Sequence, residues 1–438
     1  MKPRLTVIGT GYLGAVHAAC MAISGFEVLA LDTDQAKLDK LAAGQTPFHE
    51  PKFANVLERA LDSGNLRFTT SYEDLGKFGD VHFICVGTPQ SKDGIAADLT
   101  YVRSAVESLA PHLTRKCVIA GKSTVPVGTT DWIRSRVAEL APCDDIHIAW
   151  NPEFLREGFA VKDTLEPDRI VVGVTNHYAE DQLRKVYVEQ IEAGIPFIVT
   201  SPPTAELVKA AANSFLATKI SFINSIADIC EAAGADVTEL ADAIGHDTRI
   251  GRRFLNAGLG FGGGCLPKDI RAFMARADEL GVGQSLGILR EVDDQNLRRR
   301  QSIVDKAEAL AAGELAGVRI ACLGAAFKPD SDDVRDSPAL DVAARLLAEG
   351  AEVVVYDPQA RETGQRSHPQ ITFVDTVEDA LTDAQLTLLL TEWQEFADLD
   401  PRATADLVDE LKLIDARNAL DPNEWRDSGW TYVSVGRP

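Results

Sequence analysis

The decapeptide Gly260-Phe261-Gly262-Gly263-Gly264-Cys265-Leu266-Pro267-Lys268-Asp269 sets a thiol, an ammonium and a carboxylate within five residues, behind four glycines in five positions. Glycine has no Cβ, so backbone in such a loop can come close to a ligand. A cysteine beside a lysine and exposed backbone amides is placed to ionise, and the thiolate is the reactive form. The competing reading is a glycine-rich turn around an inert thiol, because free cysteine is among the most buried residue types. On these ten residues the two readings stand level, and the rest of the chain decides between them.

A second loop carries phosphate chemistry. Gly9-Thr10-Gly11-Tyr12-Leu13-Gly14 follows the apolar run Leu5–Ile8, opens the helical stretch Ala15–Ser24, and is followed after a further strand by Asp32. Strand before, helix after and acid at that distance make this a dinucleotide-binding loop rather than a chance glycine turn. Gly9 permits the tight turn, Gly11 lets backbone approach a pyrophosphate and Gly14 lets the helix pack closely, with the helix N-terminus adding a positive dipole end. Asp32 can bind both ribose hydroxyls and repels a 2′-phosphate, which favours NAD over NADP, and Lys37 falls near the adenosine. Thr88, in Cys85-Val86-Gly87-Thr88-Pro89, and Thr124, in Ser123-Thr124-Val125-Pro126, end later strands. Strand C-termini line the ligand crevice of a parallel sheet; taken singly, both threonines also suit ordinary turns.

The elements that must position these loops follow from periodicity. Short apolar runs at Leu5–Ile8, Val28–Leu31, Val81–Val86, Cys117–Ala120, Ile146–Trp150, Ile170–Val174 and Phe197–Thr200 alternate with helical stretches, which predicts a buried, mostly parallel sheet with helices on both faces. Residues 201–312 hold no convincing strand: a long helix over Ala205–Ala233 follows Pro202-Pro203, and another runs from about Ile288 to Ala312. Alternation returns with Val318–Gly324, Val353–Tyr356, Thr387–Leu390 and Leu413–Ile414, and the stretch from Val318 to Lys328 reads as a degraded phosphate-loop start. The expected class is α/β, with two Rossmann-like doubly wound lobes (1–200 and 313–438) joined by a central helical domain (201–312) whose long connecting helix can pack against a copy of itself.

Composition excludes several functions. A net charge of −22, from 44 basic and 66 acidic residues, argues against nucleic acid or an anionic membrane as partner. No apolar run reaches the roughly 18 residues of a membrane span, and the N-terminus lacks a signal-peptide core. Seven scattered cysteines with no CxxC pair argue against a disulfide framework or a metal site and for a reducing, cytoplasmic compartment.

With Val86-Gly87-Thr88-Pro89, Ser123–Gly128, Asn151-Pro152-Glu153-Phe154-Leu155-Arg156-Glu157-Gly158, Glu206-Leu207-Val208-Lys209-Ala210-Ala211-Ala212-Asn213 and Phe327-Lys328-Pro329-Asp330-Ser331-Asp332-Asp333-Val334-Arg335 added to the two loops, the chain resembles the UDP-glucose/GDP-mannose dehydrogenase family over nearly its whole length. The resemblance implies a four-electron oxidation of a nucleotide sugar, UDP-glucose before GDP-mannose, with two NAD used in turn. It implies Cys265 as a nucleophile passing through a thiohemiacetal and a thioester. Lys209 and Asn213, one helical turn apart, would serve the developing oxyanions, while Asp269, Glu153 and Thr124 would move protons or hold water. The base for the C6 hydroxyl would be a lysine, Lys209 being the one at that centre, or a water held by a carboxylate; which residue is the base in each step stays open. Cofactor contacts would come from Gly9, Gly11, Tyr12, Leu13, Gly14, Asp32, Lys37, Thr88, Thr124, Glu157, Lys268 and Arg335. Sugar contacts would come from Glu153, Phe154, Leu155, Arg156, Glu157, Lys209, Asn213 and Arg417, contacts to the uridine diphosphate from Phe254, Leu255, Asn256, Ala257, Gly258 and Gly262, and further substrate contacts from Phe327 and Lys328. Arg249 would reach a neighbouring subunit's site, implying a homodimer or higher homo-oligomer. The chain departs from the family pattern at Lys52, where glycine is usual, and Ser331, where threonine is usual. A two-electron β-hydroxyacid dehydrogenase shares the loop and the long helix but does not need Cys265. A non-catalytic nucleotide-sugar sensor would not need Cys265, Lys209 and Asp269 together.

Overall fold

A computed structural model describes residues 2–438. The chain forms two compact units: residues up to Ala212 together with Arg271–Gly281, and Asn213–Ile270 together with Val282–Pro438.

The first unit is built on eight strands: β1 (Leu5–Ile8), β2 (Val28–Leu31), β3 (Leu66–Thr69), β4 (Val81–Ile84), β5 (Cys117–Gly121), β6 (Ile146–Trp150), β7 (Ile170–Gly173) and β8 (Phe197–Thr200). Their order is β3-β2-β1-β4-β5-β6-β7-β8, parallel throughout except for the β6–β7 pair. Side chains alternate between faces along a strand, and the core divides accordingly. Leu5, Val7, Val28, Ala30 and Phe83 join the helices Tyr12–Ile23 and Phe53–Asp62 in one cluster. Ile8, Leu29, Leu31 and Ile84 join Thr100–Leu109 and Thr129–Leu140 in another. Both faces are therefore covered by helices, which is why these strands read as unbroken apolar runs. Strand β3, Leu-Arg-Phe-Thr, was not among the expected strands: it is a sheet edge, half exposed, and carries Arg67.

The second unit carries β9 (Arg319–Leu323), β10 (Glu352–Tyr356), β11 (Thr372–Phe373), β12 (Leu386–Leu389), β13 (Lys412–Asp415) and β14 (Thr431–Ser434), in the order β11-β10-β9-β12-β13-β14. All these pairs are parallel. The two sheets repeat one topology: in each, the order reverses beside the first strand, where the doubly wound fold places its ligand crevice. Strands β11 and β14 also escaped the sequence reading, the first because it is two residues long.

Between the two sheets in sequence lie helices and no strand: Pro202–Ala233, Val237–Gly245, Leu266–Glu279 and Gly287–Leu310. The first opens on two prolines, favoured at a helix start because the missing N–H would have no partner there. Lys52 stands at φ 68°, the left-handed region that glycine enters without strain, which explains the glycine usual at that position in the resembled family. Among the described residues no helix is long and apolar enough to cross a membrane.

Candidate active site

The glycine loop of the first unit has the geometry its spacing requires. Gly9 has φ 93° and its N–H donates to Leu31 O at 2.7 Å. A Cβ on Gly14 would lie 1.8 Å from Gly9 O, whereas a Cβ on Gly11 would meet no protein atom within 4 Å. Packing thus dictates glycine at 14, while at 11 its effect is to leave the approach to the helix N-terminus open. That N-terminus has no side-chain cap and no acidic residue in its first turn, so its N–H groups remain available to an anion. Asp32, at the end of β2, accepts Thr10 N, Thr10 Oγ1 and Lys37 Nζ on Oδ2, each at 2.9 Å, and Asp34 N on Oδ1 at 3.1 Å. Burial pushes the carboxyl up, but Lys37 and the amides of Asp34 and Thr10 outweigh it and hold it below its ordinary value. It is therefore an anion with acceptor capacity left on Oδ1, as a ribose diol requires. These residues fit a bound NAD.

The second sheet has the same beginning and a different end. Gly324 has φ 115°, and a Cβ there would lie 2.5 Å from Thr391. Asp357, in the place corresponding to Asp32, accepts Ala325 N, Ala326 N and Trp393 Nε1 on one oxygen and Gln359 N and Ala360 N on the other. Five donors saturate this buried carboxylate, which holds its own loop rather than a ribose.

Around the first sheet's strand ends, Thr88 Oγ1 donates to Thr124 O at 2.8 Å and Ser123 Oγ to Val86 O at 2.6 Å. Lys209 Nζ lies 3.2 Å from Glu153, both side chains being nearly buried, and 5.7 Å from the Phe154 ring centre. Glu153 also accepts the Leu155 N–H. Glu206, one turn before Lys209, accepts Gly128 N, Thr130 N and Thr130 Oγ1 at 2.6–2.8 Å, tying the helix of Lys209 to the loop that follows Thr124. Tyr12 donates to Glu50 and accepts the Gly158 N–H at 3.0 Å. Glu50 in turn accepts the amides of Gly158 and Ala160, so the dinucleotide loop is fastened to the Glu153–Glu157 segment. The Arg156 guanidinium forks onto Asp163 at 2.6 and 2.8 Å.

In the second unit Cys265 immediately precedes the helix Leu266–Glu279, where the helix dipole favours negative charge. It is exposed, whereas Cys143 is half-buried and Cys20, Cys85, Cys117, Cys230 and Cys322 are buried. Asn213 Nδ2 donates to Asp269 Oδ2 at 2.6 Å and Lys268 Nζ meets Oδ1 at 2.5 Å. The loop before the thiol is fixed by glycines that cannot be replaced without displacing neighbours. An added Cβ would lie 2.3 Å from Asp336 O at Gly262, 2.7 Å from the Phe327 ring at Gly263 and 2.2 Å from the Arg335 guanidinium at Gly264. Gly263 N donates to Arg335 O at 2.9 Å. Arg417 Nε donates to Leu390 O at 2.7 Å, its other nitrogens reaching Gly260 O and Phe327 O at 3.3 Å. Lys328 lies over the Phe327 ring. Phe254 has φ 65°, turning the chain into the Leu255–Gly258 segment. Arg249 is exposed and pairs with Asp247.

Several supporting residues escaped the sequence reading. Asn224 Oδ1 accepts Gly258 N at 2.9 Å, Asn296 both accepts Phe261 N and donates to Phe261 O, and Arg299 Nε donates to Gly258 O. The available signal was periodicity: Val292, Asn296, Arg299, Arg300, Ile303 and Ala307 share one buried face of Gly287–Leu310, and polar residues in phase with an apolar stripe must find buried partners.

A doubly wound sheet, an open glycine loop and a ribose-binding acid define an NAD-dependent dehydrogenase. Residues 3–191 match the UDP-glucose/GDP-mannose dehydrogenase family, NAD binding domain, residues 203–298 its central domain and residues 321–422 its UDP binding domain. The chain is 41% identical to a UDP-glucose 6-dehydrogenase of Rickettsia felis, over 99% of this chain and 96% of that one. Among solved structures it resembles a UDP-glucose dehydrogenase from Pyrobaculum islandicum (TM-score 0.92, 36% identity, 100% and 98% of the two chains). It also resembles a UDP-D-ManNAc dehydrogenase from Pyrococcus horikoshii (TM-score 0.86, 26% identity, 99% of each chain). The chain belongs to the UDP-glucose/GDP-mannose dehydrogenase family.

Proposed function

We propose that this dehydrogenase oxidises UDP-glucose to UDP-glucuronate, with Cys265 holding the sugar between two successive oxidations. The observation that carries the covalent part is the exposure of Cys265 at a helix start on a loop locked by Gly262, Gly263 and Gly264. The substrate assignment rests on full-length likeness to UDP-glucose 6-dehydrogenases.

Bound NAD supplies the hydride acceptor for each oxidation. In the first, the C6 O–H bond breaks and its proton passes to a carboxylate, Glu153 or Asp269, directly or through a water held by Thr124. The Cys265 thiolate then adds to the aldehyde carbon: a C–S bond forms and the carbonyl π pair moves to oxygen. Lys209 and Asn213 are the donors proposed for that oxyanion. Oxidation of the thiohemiacetal gives a thioester. Water adds to it, the C–S bond breaks, and the thiolate returns with the acid released. Gly9, Gly11, Gly14, Asp32, Lys37, Thr88, Lys268 and Arg335 hold the cofactor, Phe154–Glu157 and Arg417 face the sugar, the Phe254–Gly258 segment with Gly262 holds the uridine diphosphate, and Phe327 and Lys328 add further substrate contacts. Lysine and arginine provide the local positive charge that a diphosphate needs on a chain of net charge −22.

Assembly as a homodimer is part of the proposal. Phe215, Phe222 and Ile229 are exposed at seven-residue spacing on the long helix, which gives an apolar stripe suited to a second copy, and Arg249 would reach the neighbouring subunit. Free, scattered cysteines suit the cytoplasm. Another nucleotide sugar is the second reading, supported by the likeness to a UDP-D-ManNAc dehydrogenase. A panel of UDP-glucose, UDP-N-acetylmannosamine and GDP-mannose tests the assignment. Two NADH per UDP-glucose are expected; turnover of either other sugar with none of UDP-glucose overturns it.

A further inference from the structure

The first unit contains a cavity of about 50 Å³ beside the Asn151–Leu155 segment. His17, Lys122 and Tyr187 are buried on its wall, Glu153 lines it as well, and Asp168, also on the wall, is exposed.

Lys122 is an unusual group to bury here. Among the described residues no carboxylate comes within ion-pair distance of its Nζ. Its acceptors are Asn151 Oδ1 at 2.9 Å and Tyr187 Oη at 3.1 Å. Tyr187 Oη itself donates to Asn151 Oδ1 at 2.5 Å, so that amide oxygen already has two donors. An ammonium has three, and the third N–H of Lys122 is not taken by Asn151 or Tyr187. On the same wall, His17 Nε2 is buried with no protein partner. Burial, and then the neighbouring Lys122 cation, push this imidazole well below its ordinary range, so it is neutral, with one ring nitrogen to donate and one to accept.

A buried ring nitrogen without a protein partner, on the same cavity wall as a buried ammonium with only two hydrogen-bond acceptors, is characteristic of internal water. A water needs roughly 10–15 Å³, so there is room for more than one. We infer that this cavity holds a chain of ordered water that carries protons between Glu153 and solvent at Asp168, with Lys122 and His17 as its inner anchors. The inference rests on the reading above, in which Glu153 accepts a proton when the substrate O–H bond breaks. That proton has to leave before the carboxylate can act again. A water accepts it from Glu153, passes another along the chain, and Asp168 delivers one to bulk buffer; no bond other than O–H is made or broken.

Proton release, followed with a pH indicator during rapid mixing with NAD and UDP-glucose, tests this in the full-length enzyme. Lys122→Met and Asp168→Asn should each slow release several-fold in weak buffer, and concentrated imidazole buffer should restore the parental rate. A merely structural defect is not rescued by buffer. Asp168 is exposed, so Asp168→Asn keeps the test available if Lys122→Met does not fold. Release at the parental rate in Asp168→Asn, or slowing that imidazole leaves unchanged, overturns the water path. Glu153→Gln separates the layers: parental turnover in that variant overturns the role of Glu153 itself, whereas a slow Glu153→Gln beside an unaffected Asp168→Asn overturns the path alone.

Discussion

Asn213 and Asp269 are joined by a hydrogen bond of 2.6 Å between two buried side chains, and Lys268 occupies the other carboxylate oxygen. The carboxylate is thus oriented from two sides, by an amide on the long helix and by its own neighbour in sequence. Asn213→Ala removes one of these donors. It is expected to lower kcat by about 10²–10³, the usual effect of losing one preorganised donor, and to cost about 1–3 kcal/mol because Asp269 Oδ2 loses its partner. Steady-state kinetics with a denaturant titration checks both; unchanged kcat would remove Asn213 from the chemistry.

Cys265 should be the thiol that reacts first. Burial pushes Cys20, Cys85, Cys117 and Cys322 up to about 12, so below that pH they stay protonated and inert. Treating native enzyme with an aromatic disulfide at neutral pH should label one cysteine rapidly, mapped to Cys265 by peptide mass, and UDP-glucose should protect it. Cys265→Ser should halt the reaction before free uronate appears. Uronate formed at the parental rate in that variant would end the covalent proposal.

The two glycines of the dinucleotide loop should fail in different ways. Gly14→Ala forces a Cβ to 1.8 Å from Gly9 O, and such overpacking costs about 1–3 kcal/mol or more, so the melting temperature should fall. Gly11→Ala meets no protein atom and has an unstrained φ of −68°. Its melting temperature should be unchanged while KM for NAD rises. Equal melting losses in both variants would contradict this division of roles.

Stability should fall on mild acidification. His82 is fully buried, with a hydrogen bond to Thr6 Oγ1 at 2.8 Å. Burial, then the Arg115 charge, lower its pKa from 6.5 to about 3, against a smaller opposing effect of Asp80. Between those values the unfolded chain binds a proton that the folded chain refuses, so stability rises with pH across that window and is lost as pH falls through it. Denaturant midpoints from pH 7 to pH 4 should decline, and the decline should be shallower in His82→Gln. Parallel slopes in the two proteins would show that His82 is not the source.

Lys52→Gly should stabilise the fold. A left-handed non-glycine residue costs roughly 1–2 kcal/mol, partly offset by the greater freedom of glycine in the unfolded chain, so a gain of about 1 kcal/mol or less is expected in denaturant midpoints. A loss would mean that the Lys52 side chain compensates its backbone strain.

What the sequence disclosed depended on whether a residue's job is local. Gly9, Gly11, Gly14 and Asp32 act through a turn, a helix start and a strand end that lie within one βαβ stretch, so spacing alone reveals them. Strands β1, β2 and β5 are buried on both faces and read as apolar runs; β3, with Arg67 on an edge, does not. Residues whose partners are distant in sequence stayed hidden. Asn224, Asn296 and Arg299 hold loop carbonyls and amides more than thirty positions away, and Lys122 looks like any strand-end lysine until Asn151 and Tyr187 surround it. Val318 to Lys328 imitates the start of a phosphate loop in one dimension, but the five donors around Asp357 can be counted only in three. Arg156, which resemblance turns toward the sugar, has its guanidinium forked onto Asp163, a pairing seven residues apart that neither motif nor periodicity announces.

The contacts of Gly262, Gly263 and Gly264 with Asp336, Phe327 and Arg335 bear on how this polypeptide can be dissected. The nucleophile's loop is moulded against a segment that begins more than sixty residues later, past the start of the second sheet. A truncated protein ending near residue 312 would retain every motif through the cysteine and yet lose the surface that shapes it. Reactivity of that thiol is therefore a property of the carboxy-terminal half as a folded whole, and engineering that exchanges nucleotide-binding halves between relatives must carry residues 260–265 and 327–338 across together.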